Sequence, residues 1–179
     1  MGIWVGRYAM DQGQVREHGP WLVDQQRDRD DGSIRLLVLA EPVDDRSAEF
    51  CGEVAEAVAA LFGRETLSVT GGVLRALRQA HANLAEWNER SLREHHVAVG
   101  LTCVAIREGE ATIAQLGAGS VYLVRTDDTA RRVTTEGLPA ASPLGGPEPI
   151  EPRFTTVHLE DDFLLLLTSA AEQHIGQDA

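Results

Sequence analysis

Two segments of the chain repeat apolar residues at spacings of three and four, which is the period of an amphipathic helix. In the first segment the repeating residues are Phe50, Val54, Ala57, Val58 and Leu61. Side-chain oxygens at Asp44, Asp45 and Ser47 are suited to starting a helix, and Gly63 is suited to ending it. The pattern therefore predicts one core-facing helix between these boundaries.

The second helical segment covers residues 70–93, with Thr70 as the predicted N-cap. Its apolar stripe consists of Val73, Leu77, Ala80, Leu84 and Trp87. The spacing alternates between four and three, as in a coiled-coil seam, but the alternation lasts barely two heptads. A stripe that faces the protein core is the favoured interpretation, and a coiled-coil seam is the alternative.

Strand-like apolar patterns flank these helices on both sides. They cover residues 1–10, 14–24 and 34–40 before the helices, and 97–106, 111–117, 120–125, 130–135, 153–159 and 163–169 after them. The charged stretch 24–33 and the proline-rich stretch 136–152 are predicted loops, and the tail is predicted as one helical turn. This order predicts an α+β fold with helices packed on antiparallel sheets, in which 97–106, 111–117 and 120–125 form a three-stranded meander.

The chain has 179 residues and a formal net charge of −12, and its sixteen basic residues are all arginine. A negative balance of this size argues against nucleic acids and anionic membranes as partners. The longest strongly apolar stretch, residues 163–171, is too short to span a bilayer, and the N-terminus lacks the parts of a secretory signal. We therefore expect one cytoplasmic domain over residues 1–179, either complete or continued C-terminally in a larger protein.

Residues that carry chemistry are sparse in this sequence. Cys51 and Cys103 fall in a helical and a strand pattern, and both are predicted as buried free thiols in a reducing compartment. His95 and His96 are adjacent at a helix-to-strand junction, which favours polar surface. Residues 70–72, Thr-Gly-Gly, favour a plain helix start over an anion site, because no lysine is nearby. The sequence also lacks nucleophile-elbow, Walker-type and dinucleotide-binding motifs.

Four framework segments follow one another in the order and spacing of a known family. They are residues 34–45, 99–125, 143–146 and 159–169, the second of which contains AQLGAGSVYLVR. The positions that match the central hairpin of that family are Gly100, Thr102, Gly117, Tyr122, Leu123 and Arg125. In these segments the chain resembles the metal-dependent protein serine/threonine phosphatases of the type-2C and sporulation-E kind. The resemblance implies a four-layer α-β-β-α sandwich, in which antiparallel β-sheets are flanked by helices.

The same resemblance implies a two-metal site, but most of its acidic ligands are replaced here. Members of that family hydrolyse phosphoesters with a pair of Mg²⁺ or Mn²⁺ ions, which need several converging carboxylates. Ala118 and Ala170 stand where the family has metal-binding aspartates, and residues 19–21 replace its Asn-Glu-Asp. Glu41 keeps a carboxylate at a vestigial position, but Pro42 follows it where the family has glycine. We therefore predict no catalytic residue, no cofactor-binding residue and no firm metal ligand in this chain.

These replacements favour a catalytically inactive phosphatase-like domain that acts as a binding or regulatory module in signalling. The expected partner is a protein, phosphorylated or not, and no cofactor is expected. Arg16 is the candidate contact for a phosphate or other ligand, because an arginine near this position meets substrate phosphate in the family. A plain surface arginine is the alternative interpretation.

Two other functions stay open at this point. A divergent Mg²⁺- or Mn²⁺-dependent phosphoprotein phosphatase would rebuild its site from Glu41, Asp44 and histidines. A dimerisation or assembly module would use residues 70–93 and 136–152 as its surfaces. The sequence determines neither the oligomeric state nor the identity of the partner.

Overall fold

The computed structural model of the chain describes residues 3–11, 14–16, 19, 21–29, 32–127, 129–134 and 142–177. The strands are β1 (Ala9–Asp11), β2 (Gln14–Arg16), β3 (Leu22–Arg29), β4 (Gly32–Pro42), β5 (Val99–Arg107), β6 (Glu110–Leu116), β7 (Ser120–Val124), β8 (Ala130–Arg132), β9 (Arg153–His158) and β10 (Phe163–Leu167). The helices are α1 (Cys51–Arg64), α2 (Val69–Arg90) and α3 (Ser169–Gln177), and 3-10 turns cover Asp45–Phe50 and Arg93–His95.

Two antiparallel sheets form the centre of the fold. The larger sheet has the strand order β3-β4-β5-β6-β9, the smaller sheet has the order β10-β7-β8, and β1 with β2 forms a separate hairpin. Alternation along β4 sends Leu36 and Val38 to one face of the larger sheet and Leu37 to the other. The first face is covered by α1 and α2 and forms the first core with them, and the second face packs on the smaller sheet and forms the second core with it. The second core includes Leu37, Val104, Ile113, Val121 and Val157.

The third helix, α3, lies against the outer face of the smaller sheet. In β7, Val121 faces the second core, so its neighbours Ser120 and Tyr122 face outward by strand alternation. Both outward side chains bond to Glu172 of α3. The layers are thus helices, sheet, sheet and helix, which confirms the predicted α+β architecture of antiparallel sheets flanked by helices.

The predicted loop over residues 24–33 is wrong, because most of it forms β3 and the start of β4. β3 is an edge strand whose charged side chains find partners. Asp24 accepts two hydrogen bonds of 2.8 Å from Arg35 on β4. Arg27 donates to the Phe62 carbonyl, and its guanidinium lies 4.4 Å from the centre of the Phe62 ring. Charged residues that are paired in this way suit an edge strand, although their composition indicates a loop.

The predicted three-stranded meander is also wrong. β5 pairs with β6, with Leu101 opposite Leu116, but β7 belongs to the smaller sheet, where Tyr122 pairs with Leu165. The chain therefore passes from one sheet to the other at residues 117–119. Hydrophobic alternation is the same in a hairpin and at a corner between packed sheets, so the pattern does not distinguish the two.

The predicted helices are confirmed with shifted ends. Ser68, and not Thr70, caps α2, since its hydroxyl accepts a hydrogen bond of 3.3 Å from the Gly71 amide. Val73 and Leu77 of the apolar stripe are buried in the first core, which confirms the core-facing interpretation. The tail forms the nine-residue α3 and not a single turn. None of the described helices is both long enough and apolar enough to cross a membrane.

The two N-terminal strand predictions are only partly right. The segment 1–10 contributes β1 at its end, and the segment 14–24 is divided between β2 and the start of β3. Of the predicted irregular loop 136–152, residues 136–141 lie outside the described part of the chain. The rest is irregular, apart from a bridge between Leu144 and Val99.

Candidate functional site

The corner between β6 and β7 lies directly on the start of β5. Gly117 has a φ of +98°, a region that favours glycine, and a Cβ there would lie 2.9 Å from the Gly100 Cα. A Cβ at Gly119 would lie 2.8 Å from Thr102 Oγ1. The two glycines thus permit a close approach between the strands, and they place Ala118 at the tip of the corner.

Glu41, near the end of β4, connects this corner to the start of α3. It lies opposite Gly100 on β5. Its Oε1 accepts a hydrogen bond of 3.1 Å from the Ala118 amide, and its Oε2 accepts one of 2.8 Å from the Ser169 amide. Three separate segments of the chain therefore meet at one carboxylate, and we call this place the Glu41 junction.

The Glu41 carboxylate also supports the N-terminus of α3. Thr168 precedes the helix, and its hydroxyl accepts a hydrogen bond of 3.3 Å from the Ala171 amide, as an N-cap side chain does. Glu41 supplies negative charge at the Ser169 amide, where the helix dipole is positive. Together the two side chains satisfy amides that the first turn of a helix leaves without partners.

The Glu41 junction brings together positions at which the family resemblance implied metal ligands. Glu41 bonds to Ala118 and to Ser169, and Ala170 is the next residue of α3. Both alanines are exposed. Arg16, the candidate phosphate contact, belongs to β2, but its side chain lies outside the described part of the structure, so its role stays a prediction.

The residues at the Glu41 junction do not fit a two-metal centre. Within the described ranges, no group of three or more His, Cys, Asp or Glu side chains is arranged to hold a metal ion. Glu41 is a single carboxylate, and each of its oxygens already accepts one backbone amide. A pair of divalent ions needs several oxygen ligands and the charge of several carboxylates.

Asp44, the acid considered for a rebuilt metal site, has structural partners. It accepts hydrogen bonds from the Ser47 amide at 3.0 Å and from the Ser47 hydroxyl at 2.7 Å, which caps the 3-10 turn before α1. These bonds from Ser47, and one from Arg46, lower the pKa of the Asp44 carboxyl. The buried Ser47 hydroxyl in turn accepts the Ala98 amide at 3.0 Å. Asp44 therefore serves as a helix-starting residue.

A polar network on α3 could not be predicted from the sequence. Glu172 accepts hydrogen bonds of 2.5 Å from Ser120 Oγ and 2.5 Å from the Tyr122 hydroxyl, and it lies 3.4 Å from the Arg132 guanidinium. Burial opposes the charge of Glu172, but the two hydrogen bonds and Arg132 outweigh it and lower the pKa of the carboxyl. The only signal in the sequence was a glutamate in the first turn of a short apolar tail, which is too weak to predict partners on another strand.

Both cysteines are buried free thiols, as predicted. Burial raises the pKa of Cys103 to about 12. Burial and the nearby charge of Glu41 raise the pKa of Cys51 to about 11. Thiols with such pKa values are poor nucleophiles at neutral pH, so neither residue is a candidate for covalent chemistry.

A shallow cavity of about 390 Å³ lies at the end of β7 that is remote from the Glu41 junction. Its lining carries both signs of charge and consists of Arg125, Thr126, Asp127, His158, Glu160 and Asp162. The corner at Ala118 precedes β7, whereas this cavity lies beyond its C-terminal end, so the two places are distinct.

Comparisons with known proteins find similarity at the level of structure. No protein-family model matches the sequence, and no curated protein matches it. The S. agalactiae serine/threonine phosphatase aligns with a TM-score of 0.65 at 18% identity, covering 89% of this chain and 76% of that chain. Stp1, the serine/threonine phosphatase of Staphylococcus aureus, aligns with a TM-score of 0.65 at 13% identity, covering 89% and 74%. The Mycobacterium tuberculosis serine/threonine phosphatase PstP/Ppp aligns with a TM-score of 0.60 at 18% identity, covering 89% and 77%.

These alignments show that the chain has the fold of type-2C-like bacterial serine/threonine phosphatases, as the framework segments implied. At such low sequence identities the similarity shows the fold alone. The activity of the chain has to be inferred from its own residues.

Proposed function

We propose that this chain is a phosphatase-like domain without metal-dependent catalysis, which acts as a protein-binding or regulatory module in signalling. The observation that supports the proposal is the pair of backbone hydrogen bonds that the Glu41 carboxylate accepts. Its two oxygens accept the amides of Ala118 and Ser169. The family resemblance implies metal ligands at position 118 and at position 170, the residue after Ser169. In this proposal the Glu41 carboxylate connects the corner after β6 with the start of α3. In a metal-binding relative, bound ions would make this connection.

The nearby acids are engaged in a similar way. Asp44 caps the turn that leads to α1, and Glu172 joins α3 to β7. To coordinate an ion, each of these carboxylates would share oxygens that already accept hydrogen bonds, in addition to the mutual repulsion of converging charges. This cost argues against the alternative of a divergent active site rebuilt from Glu41 and Asp44.

The proposed partner is a protein, phosphorylated or not, in the cytoplasm. A net charge of −12 disfavours nucleic acid, and two buried free thiols suit a reducing compartment. Arg16 is the residue we assign to a phosphate on the partner, because a guanidinium can bind two phosphate oxygens at once. The alternative of dimerisation through α2 is disfavoured, since Val73 and Leu77 of its apolar stripe are already buried in the first core.

The proposal is tested by titrating the purified chain with Mn²⁺ in a calorimeter and by assaying hydrolysis of an aryl phosphate and a phosphopeptide. We expect no heat of binding at millimolar Mn²⁺ and no Mn²⁺-dependent phosphate release. Robust hydrolysis that requires Mn²⁺ and is abolished by Glu41→Gln would establish the divergent phosphatase instead.

A matched variant tests whether the absence of Mn²⁺ binding is due to the missing carboxylates. The double substitution Ala118→Asp and Ala170→Asp returns carboxylates to two exposed positions of the Glu41 junction. Without an ion the added charges should lower the melting temperature, and Mn²⁺ should restore it, because bound ligand stabilises the folded state. A Mn²⁺ response in the variant and none in the original chain supports the proposal.

A further inference from the structure

Two arginines lie on the inner face of the smaller sheet, next to the second core. Val121 of β7 belongs to that core, and Leu123 and Arg125 share its face by strand alternation. Arg131 of β8 lies opposite Leu123. The Arg125 amide donates a hydrogen bond of 2.9 Å to the Thr129 carbonyl, which continues the same register. The inner face therefore changes from apolar to cationic towards the C-terminal end of β7.

Arg125 and Arg131 line one shallow cavity of about 220 Å³. Thr129 and the buried Leu123 complete its lining, and we call this place the arginine cavity. The two arginines are diagonal neighbours across the strand pair, a relation in which Cα atoms are about 7–8 Å apart and long side chains can meet. Both guanidinium groups can therefore contact the same ligand.

The charges of these two arginines are not consumed by ion pairs. In the described part of the chain, no hydrogen bond or ion pair joins the guanidinium of Arg125 or of Arg131 to another residue. Other arginines do have such partners: Arg35 binds Asp24, and Arg132 lies 3.4 Å from Glu172. Because acidic residues outnumber arginines by 28 to 16 in this chain, two neighbouring arginines without an acidic partner indicate a site for an external anion.

The arginine cavity adjoins a cavity of opposite charge. Arg125 also lines the cavity of about 390 Å³ beyond β7, where Asp127, Glu160 and Asp162 supply three carboxylates. We call this second place the acidic cavity. The Asp127 carboxylate is fixed to the turn between β7 and β8, since it accepts the Thr129 amide at 3.0 Å and the Thr129 hydroxyl at 2.5 Å. A ligand that extends over both cavities is thus complementary in charge when it carries an anion beside a cation.

We propose that the arginine cavity binds the phosphate group of a phosphorylated serine or threonine, and that the acidic cavity binds a basic residue close to it in the same partner segment. Two guanidinium groups match the double negative charge of a phosphate and can each donate two hydrogen bonds to its oxygens. An unmodified carboxylate carries only one charge and fits less well. The inference deepens the proposed function and rests on it for the view that the domain binds a protein partner.

The probe is the phosphopeptide acetyl-GRRGpSGG-amide, titrated into the full chain in a calorimeter. Its unphosphorylated form, the phosphopeptide acetyl-GEEGpSGG-amide and inorganic phosphate are titrated in parallel. We expect the first peptide to bind about tenfold or more tightly than each of the other three, because only it presents a phosphate beside a positive charge. The binding should weaken as salt is added, since both contacts are electrostatic and exposed.

A set of variants assigns the phosphate to the arginine cavity. Arg125→Gln and Arg131→Gln should each weaken binding of the arginine phosphopeptide about tenfold, because each removes charged hydrogen bonds to the phosphate. Arg131→Lys keeps the charge without the planar fork, so its affinity should lie between those of the original chain and of Arg131→Gln. Arg78→Gln is the matched control, since Arg78 is an exposed arginine on α2, which covers the other side of the larger sheet. All four variants should keep the melting temperature within a few degrees, as changes at exposed positions usually do.

Three results would overturn the inference. The first is an arginine phosphopeptide that binds no more tightly than its unphosphorylated form, or than inorganic phosphate. The second is an equal loss of affinity in Arg131→Gln and in Arg78→Gln. The third is a loss of affinity in Arg16→Gln but not in Arg131→Gln, which would assign the phosphate to Arg16 instead. All titrations contain EDTA and depend neither on Mn²⁺ nor on hydrolysis, so failure here is distinguishable from failure of the proposed loss of catalysis.

Discussion

The helix-covered face of the larger sheet and the Glu41 junction are stabilised in different ways. The first is an apolar core of fully buried side chains, among them Phe62 and Leu77. The second contains one carboxylate that accepts two backbone amides from distant segments. The first arrangement determines whether the chain folds at all, and the second determines how the corner after β6 and the start of α3 are positioned. The fold can therefore persist while the chemistry at the junction changes.

The largest expected effect is on the helix-covered face. Phe62→Ala should lower the free energy of unfolding by about 3–5 kcal/mol, because a buried ring is lost and a cavity remains. That is a large part of the total stability of a domain of this kind, about 5–15 kcal/mol. Urea denaturation followed by circular dichroism measures the change. Phe62→Leu, which keeps most of the volume, should cost about 1.5 kcal/mol or less and covers the case in which the alanine variant does not fold.

A smaller and local effect is expected at the Glu41 junction. Glu41→Ala removes the acceptor of two amides and should cost about 1–3 kcal/mol, towards the lower end because water reaches Ala118. Amide exchange should accelerate at Ala118 and at Ser169 while the first core stays protected. Glu41→Gln keeps one acceptor oxygen, so its loss of stability and its amide exchange rates should lie between those of the original chain and those of the alanine variant. If the exchange of both amides is unchanged in the alanine variant, Glu41 does not hold these segments.

The smallest effect concerns pH and α3. The pKa of Glu172 is lowered in the folded chain from its ordinary value of 4.5, so its charged form contributes stability above that pH. As the pH falls below 4.5 and through the folded pKa, this contribution, about 1 kcal/mol, should be lost and exchange in α3 should accelerate. Glu172→Gln should make α3 exchange nearly independent of pH in this window. A pH response that persists in the glutamine variant would assign it to other carboxyls.

The elements of the helix-covered face could be predicted from the sequence, whereas several of the remaining features could not. The periods of α1, α2 and β4 indicate their structure because each buries one face or both faces in an apolar core. β3 was not predicted, because its charged side chains find hydrogen-bond partners such as Arg35 only in the folded chain. The passage of the chain between the two sheets at residues 117–119 was not predicted either, because the strands of both sheets show the same alternation of apolar and polar residues.

The Glu41 junction was predictable only in part. The alanines at positions 118 and 170 could be recognised from the family resemblance, and so could the surviving carboxylate of Glu41. The hydrogen bonds that Glu41 makes could not, since the Ser169 amide is 128 residues away in the sequence. The same holds for Glu172 and Ser120, which are 52 residues apart. Polar contacts between distant segments leave no periodic signal in a single sequence.

The most direct test of the central claim is a crystal structure of the unmodified chain grown with excess Mn²⁺ and recorded at the manganese absorption edge. We expect no anomalous peak at the Glu41 junction, with Glu41 still accepting the Ala118 and Ser169 amides. An anomalous peak at the Glu41 carboxylate would contradict the proposed loss of metal binding and would favour a divergent metal-dependent phosphatase.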